Sequence, residues 1–63
     1  MTERQLLEAA MLLENGRFGS FAEHLGRAYI AASPDNRDRL AQAFPEVFDA
    51  AHFAMWPTLK KVI

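Results

Sequence analysis

In the stretch Glu14–Phe21, ENGRFGSF, two glycines and a serine surround Phe18, and this pattern determines how the chain turns between its first helices. Gly16 can supply the left-handed backbone that commonly ends a helix. Ser20 followed by Glu23 has the S-x-x-E spacing of a capping box, which predicts the start of a second helix. Phe18 is expected to fold back onto the core and fix the angle between the helices. A phosphate-binding loop needs more glycines, usually with a lysine, so the stretch is predicted to be structural.

The sequence on both sides of this stretch contains further helix starts and one interruption. Thr2 and Gln5 have the spacing of another capping box, which predicts a first helix. Ser33 and Pro34 match an N-cap followed by proline in the first helical turn. Pro45 predicts a break or a kink between a third and a fourth segment. The predicted helices are about 3–15, 21–32, 34–44 and 46–56, with a tail at 57–63.

Apolar residues recur every three to four positions, which is typical of helices with one buried face. The predicted inner residues are Leu6, Leu7, Ala9, Ala10, Met11 and Leu13, then Phe21, Ala22, Leu25, Ala28, Tyr29 and Ala32, then Leu40, Ala41, Ala43 and Phe44, then Val47, Phe48, Ala51, Ala54 and Met55. Gly26, beside Ala22, is predicted to admit another helix close to backbone contact. Exposed ion pairs are predicted for Glu23 with Arg27 and for Asp35 with Arg39. The fold class is therefore predicted as all-α, a small bundle of three main helices plus a shorter fourth helical segment.

Size and charge limit the possible functions. A chain of 63 residues makes one domain, and 51% hydrophobic residues are enough to fold it. The formal charge is −1 with dispersed basic residues, which argues against nucleic acid and anionic membranes as partners. The start, MTERQLLEAA, is acidic and polar and does not resemble a secretion signal, and no apolar run could span a membrane. The chain also has no cysteine, which fits a soluble cytoplasmic protein.

Two histidines and one helix-turn-helix spacing are the features that could indicate catalysis or DNA recognition. His24 and His52 lie on different predicted helices without an HExxH motif or a nucleophile elbow, so no catalytic, cofactor-binding or metal site is predicted and the protein is not expected to be an enzyme. Ala22 and Gly26 reproduce the A-x-x-x-G spacing of a helix-turn-helix. Pro34 then falls where the recognition helix should continue, which leaves weak nucleic-acid binding as a secondary alternative.

The fourth predicted helix places two large aromatic residues on its polar side. Aromatic anchors surrounded by charge are typical of protein-binding hot spots. The predicted protein-binding residues are Asp49, His52, Phe53 and Trp56. The alternative is that this face packs on the first helix or on Leu59 and Val62 of the tail.

Three motifs in residues 14–48 occur in the order E-N-G-x-F-G-S-F, G-x-A-Y and N-x-x-x-L-x-x-A-F-P-E-x-F. This order resembles a group of short, uncharacterised proteins common in bacteriophage and prophage genomes. The resemblance implies a protein that acts in the cytoplasm of a bacterial host. There it is expected to occupy a surface on a host protein, including components of host defence, as an inhibitor or adaptor. A homo-oligomeric structural or virion-associated protein, held together by the wide apolar face of the first helix, is the main alternative.

Overall fold

The computed structural model describes residues 1–62, with the backbone alone at Trp56. Its helices in chain order are α1 (Glu3–Leu13), α2 (Gly19–Ala31), α3 (Pro34–Ala43), α4 (Pro45–His52) and α5 (Trp56–Val62). Residues 1–62 contain no β-strand, so the all-α prediction is confirmed. No helix in this part of the chain has the length and hydropathy needed to span a membrane.

Two of the predicted helix starts are present with their side-chain caps. The Thr2 hydroxyl accepts the Gln5 backbone N–H at 3.2 Å, and the Gln5 side chain accepts the Thr2 backbone N–H at 2.8 Å. The Ser33 hydroxyl accepts the backbone N–H of Asn36 at 3.4 Å, with Pro34 in the first turn of α3. A cap of this kind contributes about 1 kcal/mol to the stability of its helix.

The start of α2 differs from the prediction. Gly16 is left-handed, with a φ of +87°, as expected for the residue that stops α1, but Gly19 is also left-handed, with a φ of +91°. The chain therefore turns into α2 at Gly19, earlier than the predicted Phe21. Ser20 lies inside the first turn of the helix, and the N-cap position is held by Phe18 without a side-chain hydrogen bond. The second predicted capping box is wrong because glycine flexibility, rather than a polar cap, starts this helix.

The prediction of a close helix approach at Gly26 is confirmed. A Cβ atom placed on Gly26 would lie 2.5 Å from the backbone oxygen of Ala10 and 2.7 Å from the backbone nitrogen of Glu14. The backbone of α2 thus touches the backbone of α1. Ala9, Ala10 and Leu13 on α1 are fully buried against this contact and against α4.

The core combines side chains from α1, α2, α4 and α5. The rings of Tyr29 and Phe48 pack at a centroid distance of 5.2 Å, and both side chains are buried. No residue of α3 is fully buried, although Leu40 packs against the core together with Phe44. The buried residues are Ala9, Ala10, Leu13, Ala22, Leu25, Tyr29, Val47, Phe48, Ala50, Ala51 and Leu59.

Several residues predicted to face the core are exposed instead. Met11 is 56% exposed because α1 contacts its neighbours through Ala9, Ala10 and Leu13. Phe21 is 45% exposed because it lies in the first turn of α2, where its ring meets only the edge of the Phe44 ring at 5.6 Å. The other exposed members of the predicted inner faces are Ala28, Ala43, Ala54 and Met55.

The second half of the chain contains one helix more than predicted. At Phe44 the backbone has a φ of −130° and a ψ of 52°, so α3 and α4 are separated by a break rather than a kink. α4 ends at His52, before the predicted residue 56. The predicted tail is helical as far as Val62, and its Leu59 is fully buried. Pro57 does not end a helix here, because proline is tolerated in a first helical turn.

Arg37 of α3 contacts both α2 and α1, and these contacts were not predicted from the sequence. Its guanidinium donates to the backbone oxygens of Tyr29 at 3.0 Å and Ile30 at 2.9 Å, in the last turn of α2. It also pairs with Glu3 of α1 at 3.3 Å. Of the two predicted ion pairs, Glu23 with Arg27 is present at 3.0 Å. Asp35 with Arg39 is not among the ion pairs formed within residues 1–62.

We expect Arg37→Ala to lower the free energy of unfolding by about 2 kcal/mol, since charged hydrogen bonds to two carbonyl oxygens are lost. Arg37→Lys should recover less than half of that loss, because a single ammonium lacks the planar fork that reaches both carbonyls. Urea denaturation measures both variants. Arg39→Ala, an exposed arginine on the same helix, is the control and should change stability by less than about 0.5 kcal/mol. Equal effects at the two arginines would contradict this role.

Candidate protein-binding site

The corner between α4 and α5 is fixed by a Schellman motif. The Met55 backbone N–H donates to the Ala50 oxygen at 2.8 Å, and the Ala54 N–H donates to the Ala51 oxygen at 3.4 Å. The chain changes direction at Ala54, which has a left-handed φ of +54°. This is the bonding pattern with which helices commonly end, although glycine usually holds the left-handed position. The residues on either side of the corner are therefore held in defined directions.

Ala54 is the one described non-glycine residue with a positive φ, and this conformation costs about 1 to 2 kcal/mol for a residue with a Cβ atom. We expect Ala54→Gly to raise the free energy of unfolding by about 0.5 to 1 kcal/mol, after subtracting the extra chain entropy of glycine. Thermal denaturation measures the change. Ala28→Gly, the same substitution at an exposed position inside α2, should be destabilising by about 1 kcal/mol. Destabilisation by both variants would show that Ala54 is not strained.

The corner displays apolar side chains to solvent. Phe53 is 61% exposed and Met55 is 46% exposed. The ring of His52 meets the Phe53 ring edge-on at a centroid distance of 4.7 Å and is half-buried. Asp49 is exposed one helical turn before Phe53, on the same side of α4. Three of the four predicted site residues therefore lie together at the surface.

The fourth predicted residue is Trp56, whose side chain lies outside the described part of the structure. Met55 was predicted to face the core and is instead exposed beside Phe53. The cause is the early end of α4, because the left-handed turn at Ala54 directs the following chain away from the helical period. A left-handed alanine has no sequence signature, so this placement could not be predicted.

A cavity of about 360 Å³ lies on another part of the surface, lined by Leu12, Asn15, Arg17, Phe18 and Lys60. It brings together the end of α1, the following loop and α5. Phe18 also packs against the core, as predicted. This cavity was not predicted from the sequence, because Lys60 falls in the predicted tail and Leu12 is not among the predicted inner residues.

The two histidines lie on different helices in the described structure, as predicted. No group of three histidine and carboxylate side chains could hold a metal ion in this part of the chain. His24 is exposed on α2, whereas His52 lies on α4. Burial raises the pKa of Tyr29 above its ordinary value of 10.0, so its hydroxyl stays protonated at neutral pH.

Comparison of the chain with protein-family models, with curated proteins and with solved structures gives no match to any of the three.

Proposed function

We propose that this protein acts by binding another protein, as a phage-type inhibitor or adaptor that occupies a surface of a host protein in the bacterial cytoplasm. The observation that carries the proposal is the 61% exposure of Phe53 on a corner whose backbone is fixed. An exposed phenylalanine loses unfavourable contact with water when a partner covers it. Met55, also exposed, extends the apolar area, and Asp49 adds charge beside it.

The rigidity of the corner strengthens the proposal. Binding usually costs free energy because loops and side chains become ordered in the complex. Here two backbone hydrogen bonds already hold Ala54 and Met55, and the His52 ring packs against Phe53 before any partner arrives. Aromatic residues with few rotatable bonds on a fixed backbone are typical of binding hot spots.

Capture from a bacterial lysate followed by calorimetry with the purified partner tests this proposal. We expect Phe53→Ala to weaken binding by about tenfold or more, which corresponds to at least about 1.4 kcal/mol. Phe21→Ala is the matched control, because Phe21 is a similarly exposed phenylalanine on α2. The Phe21 variant should bind like the unchanged protein. Equal affinities for all three proteins would reject the corner as the binding surface.

Self-association as a structural protein is a second candidate, favoured by the outer side of α1. Met11 is 56% exposed and Leu12 is 41% exposed, next to each other on this helix. A second copy could cover both side chains. Size-exclusion chromatography with light scattering separates the two candidates, since a monomer at micromolar concentration would exclude a stable oligomer.

A further inference from the structure

The cavity beside α5 combines apolar walls with unpaired positive charge. Leu12 and Phe18 supply the apolar part of its lining, and Arg17 and Lys60 supply the charge. Neither cationic side chain forms an ion pair or hydrogen bond with any residue in the described range 1–62. By contrast, Arg4, Arg27 and Arg37 each pair with a glutamate. No carboxylate side chain of the described residues lines the cavity.

Local hydrogen bonding holds the loop that carries Arg17. The side-chain oxygen of Asn15 accepts the backbone N–H of Arg17 at 2.8 Å, and Gly16 between them is left-handed. The amide NH₂ group of Asn15 remains as a further donor at the cavity. Lys60 approaches from α5, which is held in place by the buried side chain of Leu59.

We propose that this cavity binds a segment of the partner protein in which a large apolar side chain lies next to a carboxylate. The apolar side chain would contact Leu12 and Phe18, and the carboxylate would pair with Arg17 and Lys60. The volume of about 360 Å³ accommodates one large side chain. This inference rests on the proposed protein-binding function and specifies the chemistry of the partner. A nucleic acid is disfavoured as the occupant, because the chain has a formal net charge of −1 and its basic residues are dispersed.

Nuclear magnetic resonance titration of the ¹⁵N-labelled protein with short peptides tests the inference. The probe is acetyl-Gly-Phe-Glu-Gly-amide, and its controls are the Phe-Gln and Ala-Glu versions of the same peptide. We expect the Phe-Glu peptide to shift the amide signals of the cavity residues and to bind at least threefold more tightly than either control. Raising the salt concentration from about 50 mM to about 500 mM should remove the advantage over the Phe-Gln peptide, because exposed ion pairs are screened.

Variants at the two cations complete the test. The double variant Arg17→Gln with Lys60→Gln should lose the preference for glutamate over glutamine. Lys61→Gln, at an exposed neighbour that does not line the cavity, should keep that preference. Equal binding of all peptides, or shifts confined to residues outside the cavity, would overturn the inference. The inference would also be overturned if the amide signals of the cavity residues shifted with protein concentration in the absence of peptide, since a second copy would then occupy the cavity.

The failure of this inference is distinguishable from the failure of the proposed function. If the peptides do not bind the cavity but Phe53→Ala still weakens binding of the captured partner, the protein-binding function stands and only the second contact is rejected. If the peptides bind and Phe53→Ala has no effect, the cavity replaces the corner as the recognition surface.

Discussion

Gly26→Ala is expected to remove about a third or more of the protein's free energy of unfolding. The new Cβ atom would lie 2.5 Å from the Ala10 oxygen and 2.7 Å from the Glu14 nitrogen, both of which are backbone atoms of the neighbouring segment. Backbone atoms cannot rotate away as a side chain can. α1 and α2 would therefore have to separate, opening the packing around Leu13 and Leu25, two of the buried core residues.

The higher helix propensity of alanine would stabilise α2 in the Gly26→Ala variant, but by less than the steric clash destabilises it. Replacing glycine by alanine inside a helix stabilises it by about 1 kcal/mol where the new methyl group meets no neighbour. Overpacking in a well-packed interior costs about 1 to 3 kcal/mol, and contact with two backbone atoms places Gly26 at or above the upper end of that range. We expect a net loss of about 3 kcal/mol, against a total stability of roughly 3 to 9 kcal/mol for a domain of this size.

Circular dichroism with urea denaturation measures the effect of Gly26→Ala. Ala28→Gly is the control, because it makes the reverse exchange at an exposed position of the same helix. It should lose only about 1 kcal/mol, which is the propensity difference alone. Native-like stability of Gly26→Ala would show that the backbones of α1 and α2 do not approach as closely as described.

The sequence predicted those features that depend on neighbouring residues. Thr2 and Ser33 cap their helices as expected, because their hydroxyls bond to backbone groups three positions away. Gly26 was predicted to lie at a close helix contact, since a glycine inside an amphipathic helix needs a packing reason. Arg37 was missed, because its bonds to Tyr29 and Glu3 depend on how separate helices meet.

The candidate site was predictable to a similar extent. The helical period of the fourth segment placed Asp49 and Phe53 on one side, and both are exposed. The period could not show where α4 ends, because the stop is an alanine in a left-handed conformation rather than a glycine. Met55 was consequently assigned to the core. The helix α5 was missed for a related reason, since Pro57 can end one helix or stand in the first turn of the next.

Phe48→Ala is expected to cost about 3 to 5 kcal/mol, the usual range for removing a fully buried phenylalanine. Its side chain has no exposed surface and packs against the ring of Tyr29 at 5.2 Å. Truncation would leave a cavity bordered by Tyr29, whose position also depends on α1 and α2. A domain of 63 residues has little stability to spare, so the urea concentration at which the variant unfolds should fall steeply.

Phe53 is the matched control for Phe48, because both are phenylalanines of the α4 segment and differ mainly in burial. With 61% of its surface exposed, Phe53 should lose less than about 1 kcal/mol of stability on truncation. Urea denaturation of both variants therefore shows whether each phenylalanine is needed for stability. The proposed function requires Phe53→Ala to remain folded while losing affinity for its partner. If the two variants lost similar stability, Phe53 would be a core residue, and its exposure would no longer indicate a binding surface.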